Sequence, residues 1–300
     1  MISGILNIKK EPGFTSHDVV AKLRGIVHQK KIGHTGTLDP DATGVLPVCL
    51  GKATKLCDII GDWDKTYEAV LLLGRETDTE DTSGQTLKER EVAVTEEEIR
   101  DIILSFQGSY DQIPPMYSAL KVNGKKLYEL AREGKVVERK ARPVKILDIR
   151  IIEMDLPRVR MEVSCSKGTY IRTLCHDIGE QLGCGGCMES LIRTRVSVFQ
   201  IKDAKTLEEI GALKQEGMLE EILVPIDEMF PLYPKITVKD DWKAFAKNGN
   251  PLDEKMLKDA DSQEEDRQVR LYEESGKFIA IYQWKEKEKK YHIVKMFFNE

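Results

Sequence analysis

The chain has 300 residues and a mass of 34.1 kDa, 41 % hydrophobic and only 7 % aromatic, a mix that predicts a soluble, cored protein of one large domain or two ordinary ones. Forty-six basic residues against 51 acidic ones give a net charge of -5 and a pI near 5.8, which taken whole argues against a nucleic-acid partner. No run reaches the roughly 18 apolar residues of a membrane helix, MISGILNIKKEPG has no apolar signal core, and six cysteines are too sparse for a disulfide scaffold, so a cytoplasmic protein is expected.

In chain order, Ser16 precedes HDVVAKLRGIV, whose Val19, Val20, Leu23 and Val27 recur at helical spacing, and a helix capped by Ser16 is expected. A Gly-, Thr-, Asp- and Pro-rich loop, GHTGTLDPDATG from Gly33 to Gly44, is followed by VLPVCLG as a short buried strand and KATKLCDII as a helix. TYEAVLLLG from Thr66 reads as a strand and RETDTEDTSGQ from Arg75 as an acidic loop. Thr95 with Glu98 and Thr206 with Glu209 form two capping boxes, each opening a helix. Between them, KILDIRIIEM and RVRMEVSCS read as a strand pair turned at Leu156 and Pro157, TYIRTLCHDIGEQLG as a helix closed by Gly183, and LIRTRVSVFQI as a strand. VPIDEMFPLYP, with three prolines in eleven residues, reads as an interdomain connection. Beyond it, KITV, QVRLY, FIAIYQW and YHIVKMFF suit a small β-barrel-like domain, with the charged runs DSQEED and KEKEKK as solvated turns. Strands and helices mix without regular βαβ alternation, so the predicted class is α+β.

The charge is segregated along the chain. Residues 1–60 carry +3, 61–120 carry -9, 121–200 carry +6 and 201–300 carry -5. Within 121–145, nine basic residues, Lys121, Lys125, Lys126, Arg132, Lys135, Arg139, Lys140, Arg142 and Lys145, face three acidic ones. This stretch is a candidate phosphate-contacting arm, though a basic solvated loop has the same composition.

Several motifs fail on spacing. A phosphate loop needs four residues between its glycine and the Gly-Lys pair and a hydroxyl after the lysine, whereas Gly44 and Gly51 are separated by six and Ala53 follows Lys52. Cys184 and Cys187 form a single C-x-x-C, near Cys175 and His176 but without a second pair, so reduced buried cysteines are expected and no metal site. What remains is the loop of Gly33 to Gly44. Asp39, pinned between Leu38 and Pro40, is either a rigidly presented catalytic acid or a turn-capping residue.

Four blocks in order, GHTGTLDPDATGVLPVCLGKATK, KTYEAVLLLGRETDTEDTSG, QIPPMYSALKVNGKKLYELAREG and CSKGTYIRTLCHDIGEQLG, strongly resemble the TruB-type bacterial tRNA pseudouridine synthases over about residues 4–200. KNGNP, at Lys247 to Pro251, is similar to the start of that family's C-terminal PUA-type RNA-binding domain. The resemblance implies a catalytic domain over 1–230, with a mixed, mainly antiparallel sheet flanked by helices, and a PUA-like domain over 235–300. It implies isomerisation of uridine 55 in the tRNA T-loop to pseudouridine, in a monomer that uses no cofactor. Asp39 matches the catalytic aspartate, and Arg172 the arginine that pairs with it and offsets the cost of a desolvated carboxylate. Tyr67 matches an active-site tyrosine that stacks on the base and is a candidate proton acceptor. Tyr170 and Leu191 match pocket residues, and His34 a histidine that fills the space of the flipped base. The basic segment 121–145 falls where the family closes on RNA, which makes Lys121, Lys125, Lys126, Arg132 and Arg142 candidate phosphate contacts; mobility without tRNA is expected. Two other readings remain. One is a non-catalytic tRNA-binding or folding protein, which predicts loss of the aspartate, arginine or tyrosine, all retained. The other is a sugar-active enzyme using Asp39 and Asp41 as paired carboxylates.

Overall fold

The computed structural model describes residues 1–122, 124–259 and 264–298; Asn123 of the third matched block and Asp261 to Gln263 of the charged turn DSQEED lie outside the described residues. The elements follow in the order β1 (Gly4–Lys10), α1 (Ser16–Val27), β2 (Ile32–His34), β3 (Thr43–Leu50), α2 (Cys57–Gly61), β4 (Lys65–Leu73), β5 (Arg75–Thr77), β6 (Thr86–Glu89), α3 (Glu96–Ser105), β7 (Gly108–Gln112), β8 (Lys121–Val122), β9 (Lys125–Lys126), α4 (Leu127–Arg132), β10 (Arg142–Asp155), β11 (Arg158–Cys165), α5 (Ile171–Gln181), β12 (Gly186–Val196), β13 (Phe199–Gln200) and α6 (Leu207–Gln215). After them come β14 (Lys235–Thr237), α7 (Lys243–Lys247), β15 (Gln268–Tyr272), β16 (Phe278–Lys285) and β17 (Lys290–Met296).

Nine strands make one sheet in the order β1-β3-β12-β4-β11-β10-β7, with β2 beside β3 and β13 beside β12. Every pairing in it is antiparallel except the short contact of β12 with β3. The molecule is α+β, with a mixed, mainly antiparallel sheet and a smaller four-stranded sheet β14-β15-β16-β17. Alternation sets the faces: Tyr67, Ala69, Leu71 and Leu73 of β4 all point into a core that α3 covers with Ile99 and Ile103 and α5 with Ile171, Leu174 and Ile178. At the other end, Val19, Val20 and Leu23 of α1 and Ile210 of α6 pack on Leu6, Ile8, Leu46 and Val48.

Local chemistry explains where the structure departs from the sequence expectations. Thr15, not Ser16, caps α1: its hydroxyl accepts from the Asp18 N–H at 3.1 Å while the Asp18 carboxylate accepts from the Thr15 N–H at 2.9 Å. The Ser16 hydroxyl is diverted to accept from the Leu38 N–H at 2.9 Å, which ties α1 to the Asp39 loop. The run KATKLCDII divides into a 3-10 turn over Gly51–Leu56 and the short α2. The acidic loop opens with β5 and leads into β6, and the two pair as a hairpin whose exposed β6 shows no apolar alternation. LIRTRVSVFQI breaks at Ser197, at φ 48°, into β12 and β13. The expected interdomain connection is not a loose tether. Ile226, Met229 and Phe230 are buried among Ile5, Val45 and Cys49 of the large sheet's side and Ile281 and Phe297 of the small sheet's side, so one core cluster spans both. The capping boxes at Thr95 and Thr206 form as expected.

Candidate active site

The loop carrying Asp39 is fixed through its backbone. Buried Lys10, at the end of β1, donates its ammonium to the carbonyls of Pro40 at 2.8 Å and Ala42 at 2.6 Å. On the other flank Arg193 of β12, also buried, donates Nε to Val45 O at 2.7 Å and its Nη atoms to Gly36 O at 3.3 Å and Thr37 O at 3.5 Å. The Ala42 N–H closes the turn on Asp39 O at 3.2 Å. Where the loop enters β3, Gly44 adopts φ +105°, and a Cβ there would lie 2.2 Å from the Arg193 carbonyl oxygen. Only glycine satisfies both the backbone angle and that approach. Burial lowers the Lys10 ammonium to about 8, and the Asp41 and Asp39 charges oppose the fall.

Arg172 sits in the first turn of α5. That helix is anchored at Tyr170, whose N–H donates to Gln112 Oε1 at 2.8 Å while Gln112 Nε2 donates to Tyr170 O at 3.0 Å. The guanidinium grips Asp39 with Nε at 3.0 Å from Oδ2 and Nη2 at 3.4 Å from Oδ1, a two-pronged contact that fixes the plane of the carboxylate. Its remaining donors reach Thr79 O at 3.1 Å, Asp81 Oδ2 at 3.4 Å and Tyr117 O at 3.0 Å. The Asp39 side chain is still 41 % exposed, so an enclosed carboxylate keeps one side open to a ligand. Enclosure pushes this carboxyl above its usual range and the Arg172 guanidinium opposes the push.

The other expected residues gather around this pair. Tyr67 is buried beside Arg193, its partner across β4 and β12, and burial raises the phenol, which therefore stays protonated at neutral pH. Leu191 and Leu38 share the apolar cluster that holds Tyr67, forming the site's hydrophobic floor. Tyr170 lies within electrostatic reach of Arg172, Arg142 and Asp39, and burial raises its phenol. His34 ends β2; burial and then the nearby Arg193 lower its imidazole, so the ring is neutral at pH 7, and its Nδ1 has no hydrogen-bond partner among the described residues. Among the basic candidates, Arg142 comes within electrostatic reach of Tyr170. Lys125 is 3.6 Å from Glu133, Lys126 donates to the Tyr128 hydroxyl at 3.1 Å, Arg132 lies over the Tyr128 ring, and Lys121 and Arg142 are exposed. Cys184 and Cys187 are buried with their thiols raised by burial.

Three residues of the site escaped the sequence reading: Lys10, Asp81 and Arg193. For Arg193 a signal existed, since alternation in LIRTRVSVFQI puts it on the face of Leu191. For Asp81 there was none, because its contact with Arg172 spans 91 residues.

Comparison with known proteins fits this geometry. A TruB family pseudouridylate synthase (N terminal domain) pattern matches residues 24–171, and a tRNA pseudouridylate synthase B C-terminal domain pattern matches 172–231. The chain belongs to the TruB pseudouridylate synthase family. It is 53 % identical to a tRNA pseudouridine synthase B of Lachnoclostridium phytofermentans, covering 99 % of this chain and 100 % of the relative. It is 49 % identical to one of Alkaliphilus oremlandii, covering 95 % and 91 %. Among solved structures, a Cbf5-Nop10-Gar1 complex matches with a TM-score of 0.72 at 28 % identity, covering 98 % of this chain and 85 % of that one. An H/ACA RNP bound to a substrate RNA containing 2'-deoxyuridine matches with a TM-score of 0.72 at 26 % identity, covering 99 % and 85 %. The junction between the two family patterns falls inside α5, and β12 of the second lies in the middle of the large sheet, so both patterns describe one folded unit.

Proposed function

We propose that this tRNA pseudouridine synthase isomerises uridine 55 of the T-loop, acting as a cytoplasmic monomer with residues 1–230 as the catalytic part and 235–300 as a PUA-like RNA-binding part. The observation that carries the reading is the Asp39–Arg172 pair: a two-pronged ion pair at the edge of an apolar floor, with one side of the carboxylate open. Isomerisation breaks the C1'–N1 bond, turns the uracil within the pocket and joins C1' to C5. N1 takes up a proton and C5 releases one, so nothing is consumed. An ionised carboxylate held by a fixed cation is the group such a reaction needs at the sugar, as nucleophile or as a stabiliser of electron-poor C1'. Tyr67 flanks the base and Leu191 with Leu38 keeps the detached uracil in place. Neutral His34, whose Nδ1 has no hydrogen-bond partner among the described residues, is suited to occupying the space of a base flipped out of the T-loop.

No helix among the described residues is long and apolar enough to cross a membrane. Lys121, Lys125, Lys126, Arg132 and Arg142 are assigned to tRNA phosphates. The test is tritium release from tRNA labelled at uridine C5. Release is expected from the wild-type transcript and is absent when position 55 is cytidine; equal release from both transcripts overturns the choice of uridine, and none from either overturns the reaction.

A further inference from the structure

Gln112 closes β7 and is 1 % exposed, yet no step of the chemistry above uses it. Its amide is fully engaged within one neighbourhood. Oε1 accepts the Tyr170 N–H at 2.8 Å, and the hydrogens of Nε2 go to Tyr170 O at 3.0 Å and to the Tyr110 hydroxyl. The amide therefore lies along the Tyr170 backbone as a neighbouring strand would, and the Tyr110 contact uses the remaining hydrogen of the nitrogen. Tyr110 is itself held edge-on against Phe106, with ring centroids 5.3 Å apart. The backbone of Gln112 pairs with Arg142 of β10, so its side chain joins the large sheet to a residue 58 positions later. Such a grip has a purpose there: Tyr170 opens α5 without a capping bond from its own side chain, and a helix start that lacks a cap frays.

The first turn of α5 carries Arg172. The chain that leaves β7 returns to the same helix, since Arg172 Nη2 donates to Tyr117 O at 3.0 Å. Residues 112–117 thus grip α5 twice, at the backbone of Tyr170 and at the guanidinium. We infer that Gln112 is a positioning residue for the reaction: it sets the first turn of α5 and, through it, the seat of the Arg172 guanidinium on Asp39. The inference rests on the pseudouridylation reading above. Nε of the guanidinium stands 3.0 Å and Nη2 3.4 Å from the Asp39 oxygens, and a helix start displaced by a fraction of an ångström loosens the longer contact first. The charged groups facing Asp39 are Arg172, Asp81, Lys10 and Asp41, and of these only Arg172 stands on α5. Displacement of that helix start therefore acts on the Asp39 carboxyl through one partner.

Gln112→Met keeps an unbranched side chain of similar length and removes the three hydrogen bonds of the amide. Steady-state tritium release from tRNA labelled at uridine C5 is expected to show kcat lowered about tenfold with KM for tRNA nearly unchanged. The acid limb of the kcat profile is expected to move to higher pH, because a looser Arg172 opposes the rise of the Asp39 carboxyl less. In an Arg172→Gln background the same substitution is expected to add no further loss of kcat. A substitution that only weakens the fold lowers the unfolding temperature and leaves the acid limb where it is. An unmoved limb, a rise in KM alone, or losses that multiply in the double variant overturn the inference. Should Gln112→Met not fold, Gln112→Asn decides on the same readings, since its amide is one methylene too short to meet both Tyr170 atoms. Silence of the wild-type enzyme refutes the pseudouridylation reading itself, whereas an active wild type with an undiminished Gln112→Met variant refutes the positioning role alone.

Discussion

The loop 33–44 and the segment 121–145, both assigned to tRNA in the proposal above, are held in different ways. Five carbonyls in or beside the first, those of Gly36, Thr37, Pro40, Ala42 and Val45, are gripped by two buried cations from separate strands. The second is held to a large extent by itself: Lys125 and Lys135 share Glu133, and Lys126 and Arg132 lean on Tyr128. The difference follows from the work of each. A carboxylate that must meet one carbon atom gains from a backbone that cannot shift, because misplacement by an ångström forfeits most of the rate. Cations that meet phosphates act through a screened field that tolerates displacement, and weak pairs with neighbouring carboxylates are readily exchanged for phosphate.

Breaking the rigid side gives the largest effects. Arg172→Gln is expected to lower kcat by about 100-fold or more, since it removes a preorganised charge from the reacting carboxylate. It also moves the acid limb of the pH profile. In the proposed reaction Asp39 acts ionised; burial raises its carboxyl and Arg172 opposes that rise, so without the arginine the activity lost on acidification is expected to be lost at a higher pH. An acid limb that stays in place after the substitution contradicts the pairing. Gly44→Ala comes next. Its Cβ meets the Arg193 carbonyl and its φ is unfavourable, so thermal or denaturant unfolding should show a loss of about 3 kcal/mol; a loss under about 0.5 kcal/mol removes the argument for a clamped loop. The smallest effect belongs to the adaptable side. Lys121→Ala is expected to reduce the slope of log affinity against log salt by about one and to leave kcat at saturating tRNA unchanged. A change in kcat there erases the contrast between the two regions.

The two regions were also legible to different degrees. Asp39 and Arg172 stood out because they lie in long matched blocks, and the basic segment because charge is additive along a sequence. Lys10 carries no mark of its burial in the sequence and Arg193 only its alternation with Leu191; their role comes from carbonyls 30 to 157 residues away. The cap of α1 was misplaced by one residue since Thr15 and Ser16 are both good caps, and a tertiary bond to Leu38 decides between them. The hairpin of β5 and β6 was missed because RET and TLKE are too short to show a periodicity and β6 is exposed throughout. Whole-chain charge was the misleading quantity: the acidic excess is concentrated in 61–120 and the last third, while 121–200 carries +6.

The central claim is that the Asp39 carboxylate performs the chemistry, and Asp39→Asn tests it most directly. The substitution keeps size and loop geometry and removes the charge that Arg172 holds. Incubated with tRNA labelled at uridine C5, the wild type is expected to release tritium and the variant to release none above background while binding tRNA with comparable affinity. Tritium release by the variant at the wild-type rate would contradict the account.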